Sequence, residues 1–141
     1  MIKDVIINIK GIQGIDDNTD TIEFMTDGRF GIKDGSYYIS YDESQMLDAP
    51  AKVKTHIYIK SDHSLVLQRT GTVKSRMIIE KGVRNTSFYS TPHGDLVIGT
   101  FGENIEHNLT DSGGEINLSY TIDSDLHLIS HNKVNISIRE V

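Results

Sequence analysis

The sequence predicts an all-β protein folded as an antiparallel up-and-down β-barrel of about 8–10 strands. The chain has twenty Ile and eight Val but only two Ala, and residues branched at Cβ suit a pleated sheet better than a helix. Twelve glycines supply turns. Apolar residues also recur at every second position through about ten segments, which is the period of a strand.

These segments follow one another closely along the chain. The predicted strands, in order, cover about residues 5–10, 19–32, 36–43, 53–59, 65–69, 73–79, 83–90, 95–107, 116–122 and 134–139. Between the second and third, Lys33-Asp34-Gly35 predicts a hairpin, because Asp and Gly tolerate the positive φ of such turns. The polar stretch 44–51 permits a helical turn, and Pro50 makes it a poor strand. The run 95–107 would be about 40 Å long if straight, so we expect Gly99 and Gly102 to bend or bulge it.

The number of strands decides how the sheet can end. In a meander with an even number of strands, the first and last run in opposite directions and can pair without a crossover. Closure would place the ladder of residues 5–9 beside that of residues 134–138 and remove the exposed edges. We therefore expect residues 1–141 to form a single barrel domain. A two-sheet β-sandwich is the alternative architecture.

Charge and composition restrict the partners. Twenty acidic against 14 basic residues give a net charge of −6, which disfavours nucleic acid, since non-specific affinity for it comes from Lys and Arg. The basic stretch from Arg69 to Arg84 is interpreted as charge on the sheet surface. The chain has no Cys, which removes disulfides and thiolate chemistry. With no apolar run of about 18 residues, we expect a cytoplasmic protein that does not contact membranes; a homodimer is possible.

A set of turn motifs, in order and spacing, resembles one family of bacterial proteins. The motifs are Arg69-Thr70-Gly71, Met77 with Glu80-Lys81-Gly82, Tyr89-Ser90-Thr91-Pro92-His93-Gly94, Ile98-Gly99, Gly113-Gly114, Tyr120 and Ser130-His131-Asn132-Lys133. Together they resemble the YwiB-like family of small proteins of unknown function. The resemblance implies a lipocalin-like (calycin-like) barrel and a cytoplasmic bacterial setting. It implies no activity and no site residues.

Patterns that could indicate catalysis or metal binding are weak. Asp16, Asn18 and Asp20 match the start of a calcium loop, but Thr21 stands where that loop needs Gly. The six histidines are scattered, and ligands four apart on a strand lie about 13 Å from each other. No nucleophile elbow and no phosphate-binding loop appears. We therefore expect no metal, no cofactor and no recognisable catalytic set.

Polar residues that share strand parity with apolar neighbours are better candidates for a site. Arg69, Ser75, Tyr120 and Asn132 each continue such a row. If these rows face the inside of a barrel, the four side chains line its cavity and contact a ligand. An interior Arg needs a carboxylate or an anionic ligand. The alternative for Arg69 is a rim position before Gly71, with the guanidinium in water.

Two classes of function are consistent with these residues. The first is a barrel that binds a small apolar or weakly anionic molecule inside or at its mouth. The second is a structural or interaction protein with a filled core, for which exposed Tyr37, Tyr38 and Tyr41 would supply a contact face. An enzyme without a recognisable motif comes third.

Overall fold

The computed structural model describes residues 2–15, 18–42, 53–60, 64–71, 74–91, 94–124 and 127–141. Ten strands account for most of these residues. In chain order they are β1 (Ile2–Ile15), β2 (Asn18–Lys33), β3 (Ser36–Asp42), β4 (Val53–Ile59), β5 (Ser64–Gly71), β6 (Lys74–Glu80), β7 (Arg84–Thr91), β8 (Gly94–His107), β9 (Gly113–Ser124) and β10 (His127–Glu140). The stretch 44–51, where a helical turn was considered, lies outside the described residues.

The ten strands form one closed antiparallel sheet. Each strand pairs with its neighbours in sequence, and β1 also pairs with β10. In that last ladder Ile7 lies opposite Ile138 and Ile9 lies opposite Ile136. The predicted barrel and the predicted pairing of its two ends are confirmed, and the alternative of a two-sheet sandwich is wrong, because a single sheet closes on itself.

Local predictions about turns and bulges have mixed outcomes. Asp34 and Gly35 both have positive φ, 53° and 79°, so the predicted hairpin between β2 and β3 is confirmed. The register between β8 and β9 shifts at Gly102, as expected for a bulge. Gly99 sits in regular pairing with both neighbouring strands, so β8 has no bulge at this position, and a bend there stays a prediction.

Gly99 instead makes room for a side chain on the outer wall. Arg84 of β7 lies across it and reaches β9, where Nη2 and Nε donate to the two carboxylate oxygens of Asp123 at 2.6 and 3.0 Å. A Cβ at Gly99 would lie 2.6 Å from the guanidinium carbon. The missing side chain therefore lets one bidentate ion pair span three strands.

One end of the barrel is filled by apolar side chains. Phe30 is 1% exposed and stacks on Tyr37, with ring centroids 5.8 Å apart. After β8 the chain places Leu109 against this end, and the Tyr37 hydroxyl donates to its carbonyl at 3.2 Å. Phe30 and Leu109 thus belong to the buried core at this end.

A buried threonine of β8 contacts β6 at the place where β6 and β7 separate. The ladder between β6 and β7 has only three pairs, and beyond it β6 lies close to β8. Thr100 of β8, fully buried, donates from Oγ1 to the Ile78 carbonyl at 2.7 Å. The Thr100 hydroxyl thus supplies a hydrogen-bond donor to a backbone carbonyl of β6, a strand with which β8 forms no ladder.

The expectation of exposed tyrosines beside the 44–51 stretch is wrong for two of the three. Tyr38 and Tyr41 are each only 8% exposed. Tyr41 belongs to the interior row of β3 and packs in the core. Tyr37 is half-buried. These rings therefore provide no exposed contact face.

Tyr38 lies on the outer wall under other side chains. Its hydroxyl is 2.7 Å from Nδ1 of His56, its ring is 5.1 Å from that of Tyr58, and the Lys33 ammonium lies 5.2 Å above it. Burial lowers the pKa of His56, and the positive charges of Lys54 and Lys33 lower it further. The neutral imidazole is thus the favoured form in the folded chain.

Candidate binding cavity

The end of the barrel opposite Phe30 and Leu109 contains a cavity of about 290 Å³. It lies where β1, β5 and β9 end and β2, β6 and β10 begin. Its wall is mostly aliphatic and includes Ile9, Ile22, Leu67, Ile122, Val134 and Ile136. Ile22 is half exposed, which marks the mouth. A ligand could therefore enter from this end without breaking the sheet.

Three of the four predicted site residues line this cavity. Arg69 projects from β5, Tyr120 from β9 and Asn132 from β10. Tyr120 and Asn132 are opposite each other in the β9–β10 ladder and are 8% and 7% exposed. Arg69 is half-buried, which places it between the interior position and the rim position considered for it. Strand parity thus brings these three residues to one place.

Ser75 occupies a different position from the other three. It is opposite Arg69 in the β5–β6 ladder, and on the other side Arg69 is opposite Thr55 of β4. Ser75 is buried but does not line the cavity, and neither its hydroxyl nor those of Thr55 and Ser87 has a hydrogen-bond partner among the described residues. The hydroxyls of Thr55 and Ser75 therefore lie in the wall on the two strands that flank Arg69.

Three lining residues were not predicted from the sequence, and a fourth was assigned to the wrong surface. Gly11, Ile12 and Gln13 belong to β1 beyond the predicted end of that strand, and Tyr41 was expected on the outside. Parity carried the signal for Tyr41, since it follows Tyr37 and Ile39 at alternate positions. For β1 the alternation stops at Gly11, so only its pairing with β10 reveals the longer strand.

Gly11 accounts for part of the cavity volume. It lies between Ile22 of β2 and Val134 of β10 in the two ladders, and both of these line the cavity. A Cβ built at Gly11 would have no heavy atom within 4 Å. An aliphatic side chain here would therefore project into empty space rather than into the wall.

Comparison with known proteins places the chain in a family. The sequence profile described as "Domain of unknown function (DUF1934)" matches residues 7–136. The chain belongs to the DUF1934 family.

Relatives of this DUF1934 member include the uncharacterized β-barrel protein YwiB of Bacillus subtilis (strain 168). It is 29% identical over 124 residues, which are 88% of this chain and 82% of YwiB. The crystal structure of YwiB from Bacillus subtilis superimposes with a TM-score of 0.86 at 23% identity, covering 99% of this chain and 93% of that one. The likeness shows the shared fold, and the predicted family resemblance is confirmed.

The surroundings of Tyr120 in the cavity of this DUF1934 chain favour the neutral form of its phenol. Burial raises the pKa of the Tyr120 hydroxyl, and the positive charge of Arg69 opposes that rise. The phenol therefore stays protonated at neutral pH and can donate a hydrogen bond. Asn132 donates from Nδ2 to the Ser130 hydroxyl at 3.0 Å, which fixes the orientation of its amide.

The described residues contain neither a cluster of metal ligands nor a membrane-spanning helix. Within the described residues, no three His, Asp or Glu side chains come together in a way that could hold a metal ion. The same residues include no helix that is long and apolar enough to cross a bilayer. Asp16, the first residue of the calcium-like pattern, lies outside the described residues.

Proposed function

We propose that this DUF1934 chain binds a small, mostly apolar molecule in the open end of its barrel. The observation that carries the proposal is the cavity of about 290 Å³ with aliphatic walls and a few polar groups. Ligand sites commonly have this composition, and their volumes begin at about 300 Å³. A barrel that served only as a rigid scaffold would gain stability by filling this space.

The volume sets the size of the molecule. A cavity of about 150 Å³ accommodates benzene, which has six carbon atoms. By the same ratio, about 290 Å³ accommodates roughly 12 non-hydrogen atoms. The proposed ligands are therefore single-ring or medium-chain molecules.

A pair of glycine variants tests the proposal. Gly11→Ile adds an aliphatic side chain inside the cavity, whereas Gly14→Ile adds the same side chain to the outer face of the same strand. Isothermal titration with 1-octanol is expected to show binding to the native chain and to the Gly14 variant. The Gly11 variant is expected to lose it.

Native mass spectrometry of freshly purified protein adds a second measurement. An adduct of about 150–200 Da, calculated for roughly 12 non-hydrogen atoms, is expected on the native chain and absent from Gly11→Ile. Equal octanol affinity in both glycine variants would place binding outside the cavity. No binding of 1-octanol to the native chain, together with no adduct in native mass spectrometry, would refute the proposal.

Self-association is a second candidate, favoured by one exposed apolar pair. Phe88 and Val97 are opposite each other on β7 and β8 and are 66% and 56% exposed on the outer wall. Exposed apolar neighbours of this kind can mark a contact surface. Sedimentation equilibrium tests this candidate: a dimer that dissociates in Phe88→Ser would support it, and a monomer at millimolar concentration would exclude it.

A further inference from the structure

We infer that the molecule bound in the barrel is uncharged and has an amide head group, which binds to the Tyr120 hydroxyl and the Asn132 carbonyl oxygen. This inference rests on the proposed function and adds the chemical class and the orientation of the ligand. Two features of the cavity support it: a row of neutral polar side chains across three neighbouring strands, and the apolar rows that follow it deeper in the barrel.

The neutral polar side chains form a row across β1, β10 and β9. Gln13 lies opposite Asn132, and Asn132 lies opposite Tyr120. All three residues line the cavity. Gln13 is exposed, whereas Asn132 and Tyr120 are only 7% and 8% exposed, so the row leads from the mouth into the interior. Two amides and a protonated phenol make this part of the wall polar without giving it a charge.

The two buried residues of this row offer one donor and one acceptor to a ligand. Asn132 donates from Nδ2 to the Ser130 hydroxyl at 3.0 Å, which leaves its carbonyl oxygen as the acceptor. Neither this oxygen nor the Tyr120 hydroxyl forms a hydrogen bond with another described residue. Residues directly opposite each other have Cβ atoms about 4.5–5.5 Å apart, so one head group can contact both side chains. Because buried polar groups ordinarily have partners, we expect the ligand to supply them.

A donor beside an acceptor selects the head group. An amide presents a carbonyl oxygen to the phenol of Tyr120 and an N–H to the carbonyl oxygen of Asn132. A carboxylate has no N–H to donate and an alkylammonium has no acceptor, and either would place a charge among neutral groups, which is unfavourable. Arg69 also lines the cavity, but it already has an interaction within the folded chain, so it is not assigned to the ligand.

Apolar rows on the same strands set the direction of the ligand. Gly11, Val134 and Leu118 lie opposite one another in the next row toward the filled end of the barrel, about 6–7 Å from the polar row. Gly11 leaves space in this row. Ile9 and Ile136 follow in the row after it. The amide therefore lies near the mouth, and the apolar part of the ligand extends inward past Gly11.

Three probes of the same shape test the inference on the native chain. Octanamide, 2-nonanone and octanoate share an alkyl chain and a carbonyl group, and an amino group, a methyl group or a charged oxygen completes the head. Each is smaller than the roughly 12 non-hydrogen atoms that the cavity accommodates. In isothermal titration at pH 7.5, octanamide is expected to bind about 2- to 12-fold more tightly than 2-nonanone, which is the contribution of one neutral hydrogen bond. Octanoate is expected to bind most weakly.

Two variants assign the two hydrogen bonds to the named side chains. Tyr120→Phe removes the donor that both carbonyl probes use, so octanamide and 2-nonanone are expected to weaken by the same factor of about 2- to 12-fold. Asn132→Leu removes the acceptor that only the amide uses, so octanamide is expected to fall to the affinity of 2-nonanone, which stays unchanged. Asn135→Leu is the control, because it removes an amide that bonds to Asn117 on the outer wall at 2.8 Å and should change neither affinity.

The outcomes separate this inference from the proposal beneath it. Equal affinity of octanamide and 2-nonanone for the native chain, or octanoate binding as tight as that of octanamide, would overturn the amide site. Cavity binding would still stand if 1-octanol binds to the native chain and not to Gly11→Ile. If Asn132→Leu does not fold, the order of the three probes on the native chain still decides. Failure of 1-octanol and of all three probes to bind, with no adduct in native mass spectrometry, would refute cavity binding itself.

Discussion

Two buried threonines provide a matched pair in which the same substitution should have opposite effects on stability. Thr55 and Thr100 are both fully buried. The Thr100 hydroxyl donates to the Ile78 carbonyl at 2.7 Å, whereas the Thr55 hydroxyl has no partner among the described residues. Changing either residue to Val replaces a hydroxyl by a methyl group of similar size. The difference between the two variants therefore measures the hydrogen bond.

The magnitude follows from what each hydroxyl does in the folded chain. A buried polar group without a partner costs about 1–3 kcal/mol, so Thr55→Val is expected to raise the free energy of unfolding by about 1–2 kcal/mol. Thr100→Val removes a hydrogen bond and deprives the Ile78 carbonyl of its donor, for an expected loss of about 1–2 kcal/mol. For a chain of this length, about 1 kcal/mol corresponds to about 4 °C in Tm. The two Tm values should differ by about 8–16 °C.

Urea unfolding followed by circular dichroism gives both free energies, and differential scanning calorimetry gives both Tm values. The m-values of the two variants should match that of the native chain, which shows that the unfolding transition is the same. A loss of stability in Thr55→Val equal to that in Thr100→Val would refute the reasoning, because it would mean that the Thr55 hydroxyl is bonded in the folded protein.

Three further predictions concern close approaches and one half-buried histidine, His56. Gly99→Ala should lower Tm, because its Cβ displaces the Arg84 guanidinium, and the same change in an Arg84→Met background should have little effect. Gly28→Ala places a Cβ 2.6 Å from a backbone carbonyl of β3 and should cost about 1–3 kcal/mol in urea unfolding, whereas Gly11→Ala should be neutral or slightly stabilising. The folded pKa of His56 lies below its ordinary value of 6.5, so the unfolded chain binds a proton first as pH falls. Stability should therefore decline below about pH 6.5, and an NMR titration of His56 with a midpoint at or above that value would contradict this.

The fold was predictable because one pattern runs through the whole chain. Alternation of apolar residues placed every strand, and the even number of strands predicted that β1 would pair with β10. Parity also brought Arg69, Tyr120 and Asn132 into one cavity. Each of these predictions needs only the direction of a side chain relative to its neighbours in sequence, which a strand fixes every second residue.

Features that depend on register between strands were not predictable. The empty space at Gly11 and the hydroxyl of Thr100 above a carbonyl of β6 both depend on which residues lie opposite each other. Tyr38 has outward parity yet is buried, because His56 and Tyr58 on the next strand cover it. A sequence gives the face of a residue, but its burial on the outer wall also depends on long side chains from neighbouring strands.

The distribution of polar groups inside the barrel argues against a purely structural role. The closed end is packed with apolar residues such as Phe30 and Leu109. The open end contains Arg69, and in the wall beside it lie the hydroxyls of Thr55 and Ser75, which have no hydrogen-bond partner in the part of the chain that the structure describes. A buried hydroxyl without a partner lowers stability relative to an apolar group of the same shape, and Gly11 leaves space that a side chain could fill. Departures from good packing in the wall of a cavity are expected where a site needs them. Thr55→Val is therefore expected to gain stability, and Gly11→Ile is expected to lose octanol affinity.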